Sequence, residues 1–442
     1  MRFLPQRPLL RRLVVGVMIV SLLLFGVSCG LIGYKNSLDR RIDAIRAEGY
    51  PATIADLTPR MIEAEEDAAA QLAAVENQLQ GFDRELAQFE RTSVGKSYRE
   101  ERERDQAPAT EQLNAMRAIV QKFPELDAAI KRAATCDQYA SRLAYRLPYP
   151  QFQAAMLSQL TNLRTVARFV AWQMQLAIAE GRTDLAVEQG IALLRLADLY
   201  DGSESGILSS QIAMAVRGVA VNELYSALSA GPISPALRQQ LDKELARFDA
   251  KESLLHALTT ERAITVSATE EQLGGGVKPL IVNTVGLYLK KMYVEAIDYY
   301  EPVLSVIEQP WYVAHPHSTS IFQKPTAYGT MADQLAPAFE AQFEAVHRTS
   351  ALLRSLRVLN ALQQYATEQG AEATGLVDLK LPAEGMKDPF TGKPLIAKLV
   401  DGKWLVYSVG KDGVDDGGNF AKYKDVGFGP LIEQPATLET VE

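Results

Sequence analysis

Apolar residues recur every three or four positions over much of the chain. Leu72, Val75, Leu79, Phe82 and Leu86 form one such stripe, in a stretch rich in Ala, Glu, Gln and Leu. That spacing and composition predict an amphipathic helix. The same pattern predicts helices near 110–122, 125–144, 151–180, 183–199, 206–228, 235–247, 251–272 and 334–369, with a shorter one ending at Ala47. Local chemistry marks several ends. Gly49-Tyr50-Pro51 stops a helix, whereas Thr58-Pro59 and Ser234-Pro235 read as a cap followed by proline in the first turn. Phe123-Pro124 and Leu147-Pro148-Tyr149-Pro150 read as breaks.

Helical periodicity ends at Gly370. Asp388-Pro389-Phe390-Thr391-Gly392 is turn chemistry, and Asp401-Gly402 separates two short apolar runs, Ile396 to Val400 and Lys403 to Val409. Asp-Gly in that setting predicts a β-hairpin. The expected fold is therefore mainly α, with a multi-helix body and a small C-terminal β-hairpin module.

The N-terminus adds a membrane element. Arg2, Arg7, Arg11 and Arg12 precede a segment, Leu13 to Tyr34, that carries no charged side chain. A helix of that length crosses a bilayer, and the arginines place its start on the cytoplasmic side. It reads as an uncleaved, single-pass transmembrane helix or signal anchor in a bacterial inner membrane. The lipid bilayer is then its partner through residues 13–34, and the body lies on the periplasmic side. A lipoprotein signal ending at Cys29, or a cleaved signal peptide, are the alternatives. The expected division is 1–34 cytoplasmic tip and anchor, 35–333 helical body, 334–431 long helix with β module, and 432–442 tail.

Composition narrows the function. With 47% hydrophobic and 23% charged residues the chain is globular rather than disordered. A net charge of −8 and the absence of a basic stretch beyond the first residues exclude nucleic acid as the expected partner. Two cysteines, one in the apolar segment, give no disulfide framework.

Candidate chemistry is sparse. Leu176 to Ala186 resembles the turn of a tetratricopeptide hairpin, without a second copy at the period such arrays need. His315-Pro316-His317 reads as a proline-rich loop between helices. With Glu261 it is the only lead toward a metal-dependent or acid–base hydrolase assembled from the body. Gly410 to Asn419 packs Asp412, Asp415 and Asp416 among four glycines. Crowded carboxylates repel, and a divalent ion such as calcium relieves that repulsion while glycines let carbonyls turn inward.

Asp388-Pro389-Phe390-x-Gly392-x-Pro394, Tyr407-Ser408-x-Gly410-x-Asp412-Gly413, Asp415-Asp416-Gly417-Gly418 and Asp425, with the helix from Leu352 to Gly370, resemble the C-terminal region of the type II secretion major pseudopilin. The resemblance implies a calcium-binding loop, with Asp412, Asp415, Asp416 and Asp425 as side-chain ligands and Ser408 as a weaker one. It does not extend to the prepilin cleavage motif, so assembly into a pseudopilus is not expected. The expected function is a non-enzymatic structural or interaction scaffold with a protein partner. A secretion-system accessory protein is a further reading.

Overall fold

The computed structural model describes residues 37–430 except 61, 104–105, 141–142, 144, 204–205, 275–279, 323–328 and 422–423; before 37 it describes only positions 19, 21, 26 and 33. Some helical side chains, that of His317 among them, are likewise not described. The expected membrane segment 13–34, apart from those isolated positions, and the tail 432–442 therefore lie outside the described residues. Among the described residues no helix is long and apolar enough to cross a membrane.

The chain is mainly helical, with one small antiparallel sheet at its C-terminal end. Helix α1 covers residues 37–47. There follow α2 (Ala68–Ala73), α3 (Glu76–Phe89), α4 (Ser93–Glu103), α5 (Thr110–Val120), α6 (Pro124–Ala133), α7 (Tyr149–Ala179) and α8 (Thr183–Asp201). Then come α9 (Gly206–Ala230), α10 (Pro235–Leu245), α11 (Ala250–Gly274), α12 (Leu280–Ile307), α13 (Trp311–Phe322) and α14 (Gly329–Gln369). The sheet consists of β1 (Ile396–Val400), β2 (Lys403–Ser408) and β3 (Val426–Phe428), in that spatial order.

The centre of the body is the α7–α8–α9 trio. The α7–α8 turn follows the expected chemistry: Gly181 takes φ 72°, its N–H bonds Ile178 O at 3.0 Å, and Arg182 N–H bonds Ala177 O at 2.8 Å. These bonds satisfy carbonyls at the end of α7. Close approach of the trio depends on Gly190. A β-carbon there would lie 2.5 Å from Leu224 Cδ2 and 2.9 Å from Met174 Cε, both on fully buried side chains. Gly190→Ala gains up to about 1 kcal/mol of helix propensity. Overpacking of about 1–3 kcal/mol opposes that gain. A lower melting temperature is the expected net result, and an unchanged or raised one would show that the trio can spread at no cost.

Several predicted boundaries move. Thr58-Pro59 does not start a helix. Asp67 caps α2 instead, accepting from Ala69 N–H and, across the fold, from Ala140 N–H, both at 2.9 Å. The predicted 125–144 helix ends early, at Ala133. His315-Pro316-His317 lies within α13 rather than in a loop, and both α12 and α13 were missed. Pro302 and Pro337 also sit inside helices. An interior proline costs about 3 kcal/mol of helix propensity. Burial of Tyr299, Tyr300, Val303, Trp311, Phe339 and Phe343 around these prolines outweighs it.

The hairpin matches its expected turn. Asp401 (φ 49°) and Gly402 (φ 74°) both take left-handed conformations, pairing Val400 with Lys403 and Ile396 with Tyr407. The third strand was not foreseen; it pairs Val406 with Phe428 and Ser408 with Val426. The module does not carry a separate core. Val406, Val426, Phe428, Phe390 and Leu395 belong to the same buried cluster as the helices. Tyr225 of α9 stacks on Phe428 at 5.0 Å, and Trp311 of α13 meets Phe390 edge-on at 5.1 Å. The expected boundary at 333–334 falls inside α14, which spans body and module alike.

Candidate functional site

Asp388 is the internal fastening of the C-terminal module. Its turn closes through Asp388 N–H to Lys393 O at 2.7 Å and Gly392 N–H to Asp388 O at 2.9 Å. The carboxylate, on a residue only 2% exposed, accepts from Phe390 N–H (2.8 Å) and Ser408 Oγ–H (2.7 Å) at Oδ1, and from Val409 N–H (3.1 Å) at Oδ2. Arg354 of α14 donates to Lys387 O at 2.7 Å and ties that turn to the body.

The acidic loop follows β2. Asp425, 1% exposed, accepts from Gly418 N–H at 2.7 Å and Asn419 N–H at 3.1 Å on Oδ2, and faces Asp416 N–H at 3.5 Å on Oδ1. Burial raises its pKa, against the pull of those amide donors. Asp415 accepts from Tyr407 O–H at 2.7 Å, and Lys398 lies 3.6 Å from its other oxygen. The phenol bond first, then the Gly417 amide and Lys398, hold its carboxyl below the usual range despite partial burial. Asp416 pairs with Lys424 at 3.1 Å. Asp412 is exposed and accepts from Val414 N–H at 3.1 Å. Ser408 Oγ is engaged by Asp388 and by Gly410 N–H.

The fold thus brings Asp415, Asp416 and Asp425 into one loop. There, lysines, a phenol and backbone amides meet their oxygens. Among the described residues no group of three His, Cys, Asp or Glu side chains is arranged to hold a metal ion.

Glu261, Glu271 and the histidines with described side chains have separate surroundings. Glu261 accepts from Ile207 N–H at 3.1 Å, where α9 starts, and burial raises its pKa. Glu271 accepts from Tyr149 N–H at 2.9 Å, at the start of α7. His315 stacks on Trp311 at 4.5 Å, where the nearby charges are Lys411, Glu340 and Glu344. Its partner in the sequence motif, His317, has no described side chain. His347 is buried, bonds Phe343 O through Nδ1 at 2.8 Å, and has its pKa pushed down to about 4 by burial. His256 Nε2 lies 3.1 Å from Ser203 O.

Two arrangements were missed. The reach of Asp388 to Ser408 spans twenty residues and has no local signature. Arg217 did leave one, as the lone charge between Ile207 and Asn222. It is 2% exposed, bonded to Asp198 at 2.7 Å and to Asp201 at 3.0 Å. Comparison of the chain with protein-family models, curated proteins and solved structures finds no match.

Proposed function

We propose that this protein is a membrane-anchored envelope scaffold whose helical body presents the C-terminal β module to a protein partner outside the cytoplasm. The observation that carries this reading is the shared core: β2 and β3 pack into the cluster that also holds α9 and α14. A module fastened in this way moves with its body. Helix α1, which follows the charge-free segment, is fastened too. Leu38, Ile42 and Ile45 pack with Val266 of α11 and Ile297 of α12, and Arg41 pairs with Asp298. The four N-terminal arginines and the uncharged stretch 13–34 support the orientation.

Protease treatment of spheroplasts carrying a C-terminally tagged chain tests the topology. The tag is expected to be digested in spheroplasts, spared in intact cells, and to stay with membranes through alkaline washing. A tag that resists protease in spheroplasts would place the body in the cytoplasm and end the proposal.

Calcium belongs to the reading through the pseudopilin resemblance, and it has a definite geometric requirement. Asp415 and Asp416 must leave Lys398 and Lys424 to turn toward an ion shared with Asp425. On this proposal, saturating calcium raises the melting temperature and EDTA reverses the rise; at a hundredfold excess over Kd the gain is about 2.7 kcal/mol. An unchanged melting temperature removes calcium and leaves the scaffold.

A further inference from the structure

We propose that the cavity where the β1–β2 turn meets the C-terminal ends of α9 and α14 binds a small organic carboxylate with an apolar body. The cavity has a volume of about 420 Å³, a small-molecule size. Leu228 and Leu359 line it from the helices, Pro232 from the α9–α10 loop, and Lys403 and Trp404 from the hairpin. Arg238 of α10 also lines it and is 6% exposed.

Arg238 is a buried cation with no counter-charge in contact. The other buried arginines among the described residues meet carboxylates: Arg217 meets Asp198 and Asp201, and Arg262 meets Glu301. Arg238 makes no salt bridge among the described residues. Its Nη1 donates instead to two neutral amides, Asn360 Oδ1 and Gln363 Oε1, both at 3.2 Å. Gln363 is oriented in turn by Leu228 O, which its Nε2 reaches at 3.1 Å. Burial lowers the Arg238 pKa, and the charge of Asp184 opposes that shift, but Asp184 spends its own bond on Ser234 N–H at 2.9 Å. A buried charge left in this way is costly until an anion reaches it.

Nε and Nη2 are left over, and no described group accepts from either. Neither is enclosed: the sealed polar atoms that lack partners lie on other side chains, whereas Arg238 borders the cavity. Together the two nitrogens form the side-on fork of a guanidinium. Arg357 uses the same pair to hold Asp242, at 2.7 and 3.0 Å. That planar, bidentate geometry selects a carboxylate. The walls select its body. Leu228, Leu359 and Pro232 offer apolar surface, and the Trp404 ring is held by its Nε1–H bond to Glu372 at 2.7 Å. That bond also occupies the acid that lines the cavity, while Lys403 adds positive charge at the exposed rim.

The test is calorimetry on the full chain in nanodiscs at pH 7 and 0.15 M NaCl. The probe is 3-phenylpropionate, with 3-phenylpropanol as the neutral control and acetate as the carboxylate without an apolar body. Saturable binding of the probe with Kd under about 1 mM is expected, with neither control saturating in that range. Arg238→Lys keeps the charge and removes the fork, so about tenfold weaker binding is expected. Lys403→Glu alters only an exposed rim side chain that makes no salt bridge among the described residues. It is expected to weaken the probe about fivefold at an unchanged melting temperature. No saturable heat from the probe, equal binding of the alcohol or of acetate, or unchanged affinity in either variant would overturn the site.

Discussion

Replacing Arg217 by methionine is expected to lower the stability of the whole helical body by about 3–5 kcal/mol, the usual cost of breaking a buried ion pair from one side. Methionine keeps most of the volume but leaves Asp198 and Asp201 without their cation. Asp198 already has its pKa raised by burial, with Arg217 as the main opposing influence. Asp201 would retain only Ser253 as a donor. Adding Asp198→Asn and Asp201→Asn to the methionine variant removes the stranded charges and is expected to recover more than half of the loss, because an uncharged replacement of a buried ion cluster is often close to neutral. Denaturant melts of the three proteins decide the matter. If the triple variant is no more stable than the single one, the loss comes from packing against Phe248 and Met214 rather than from charge.

Asp388→Ala is expected to have a comparable effect, confined to one end of the molecule. It strands the Phe390 and Val409 amides and the Ser408 hydroxyl, all of which bond to its carboxylate. Bonds to a charged acceptor contribute about 1.5–3 kcal/mol each and are not additive, so a total on the order of 4 kcal/mol is expected. Asp388→Asn retains an acceptor at one oxygen and presents an amide to the Val409 N–H, so it should lose about half as much. Hydrogen exchange would read the location: amides of 403–410 and 426–428 should lose protection before those of α7 and α8. Uniform loss across the helices would mean that the module and body unfold as one unit, which their shared core also permits. Unchanged exchange in the alanine variant would show that the strands hold without the carboxylate.

The sequence resolved features whose causes lie within a few residues of each other. Asp401-Gly402 specified the hairpin because few residue pairs accept two successive left-handed conformations. Gly181 specified the α7–α8 turn for a related reason. The Leu72-to-Leu86 stripe marked the apolar face of α2 and α3, although its start was misplaced. Helix α13 was hidden because the proline of His315-Pro316-His317 reads as a loop, and α12 likewise carries a proline, Pro302, in its interior. There the preference of the local chain and the energy of burial disagree, and burial prevails.

Chemistry followed the same division. That Asp412, Asp415, Asp416 and Asp425 crowd together was visible in the order of residues. That their oxygens are met by Lys398, Lys424, Tyr407 and backbone amides was decided by the register of β2 against β1 and by the return of β3. The hub at Asp388 and the Asp198–Arg217–Asp201 cluster join groups on different elements, and pairing across such separations follows from packing alone. Sequence by itself thus determined the helical class, the hairpin and the uncharged N-terminal stretch, all products of short-range sterics and polarity. Tertiary structure alone decided which charges neutralise each other, because Coulomb interaction and desolvation depend on distance and burial, which no ordering of residues along a chain contains.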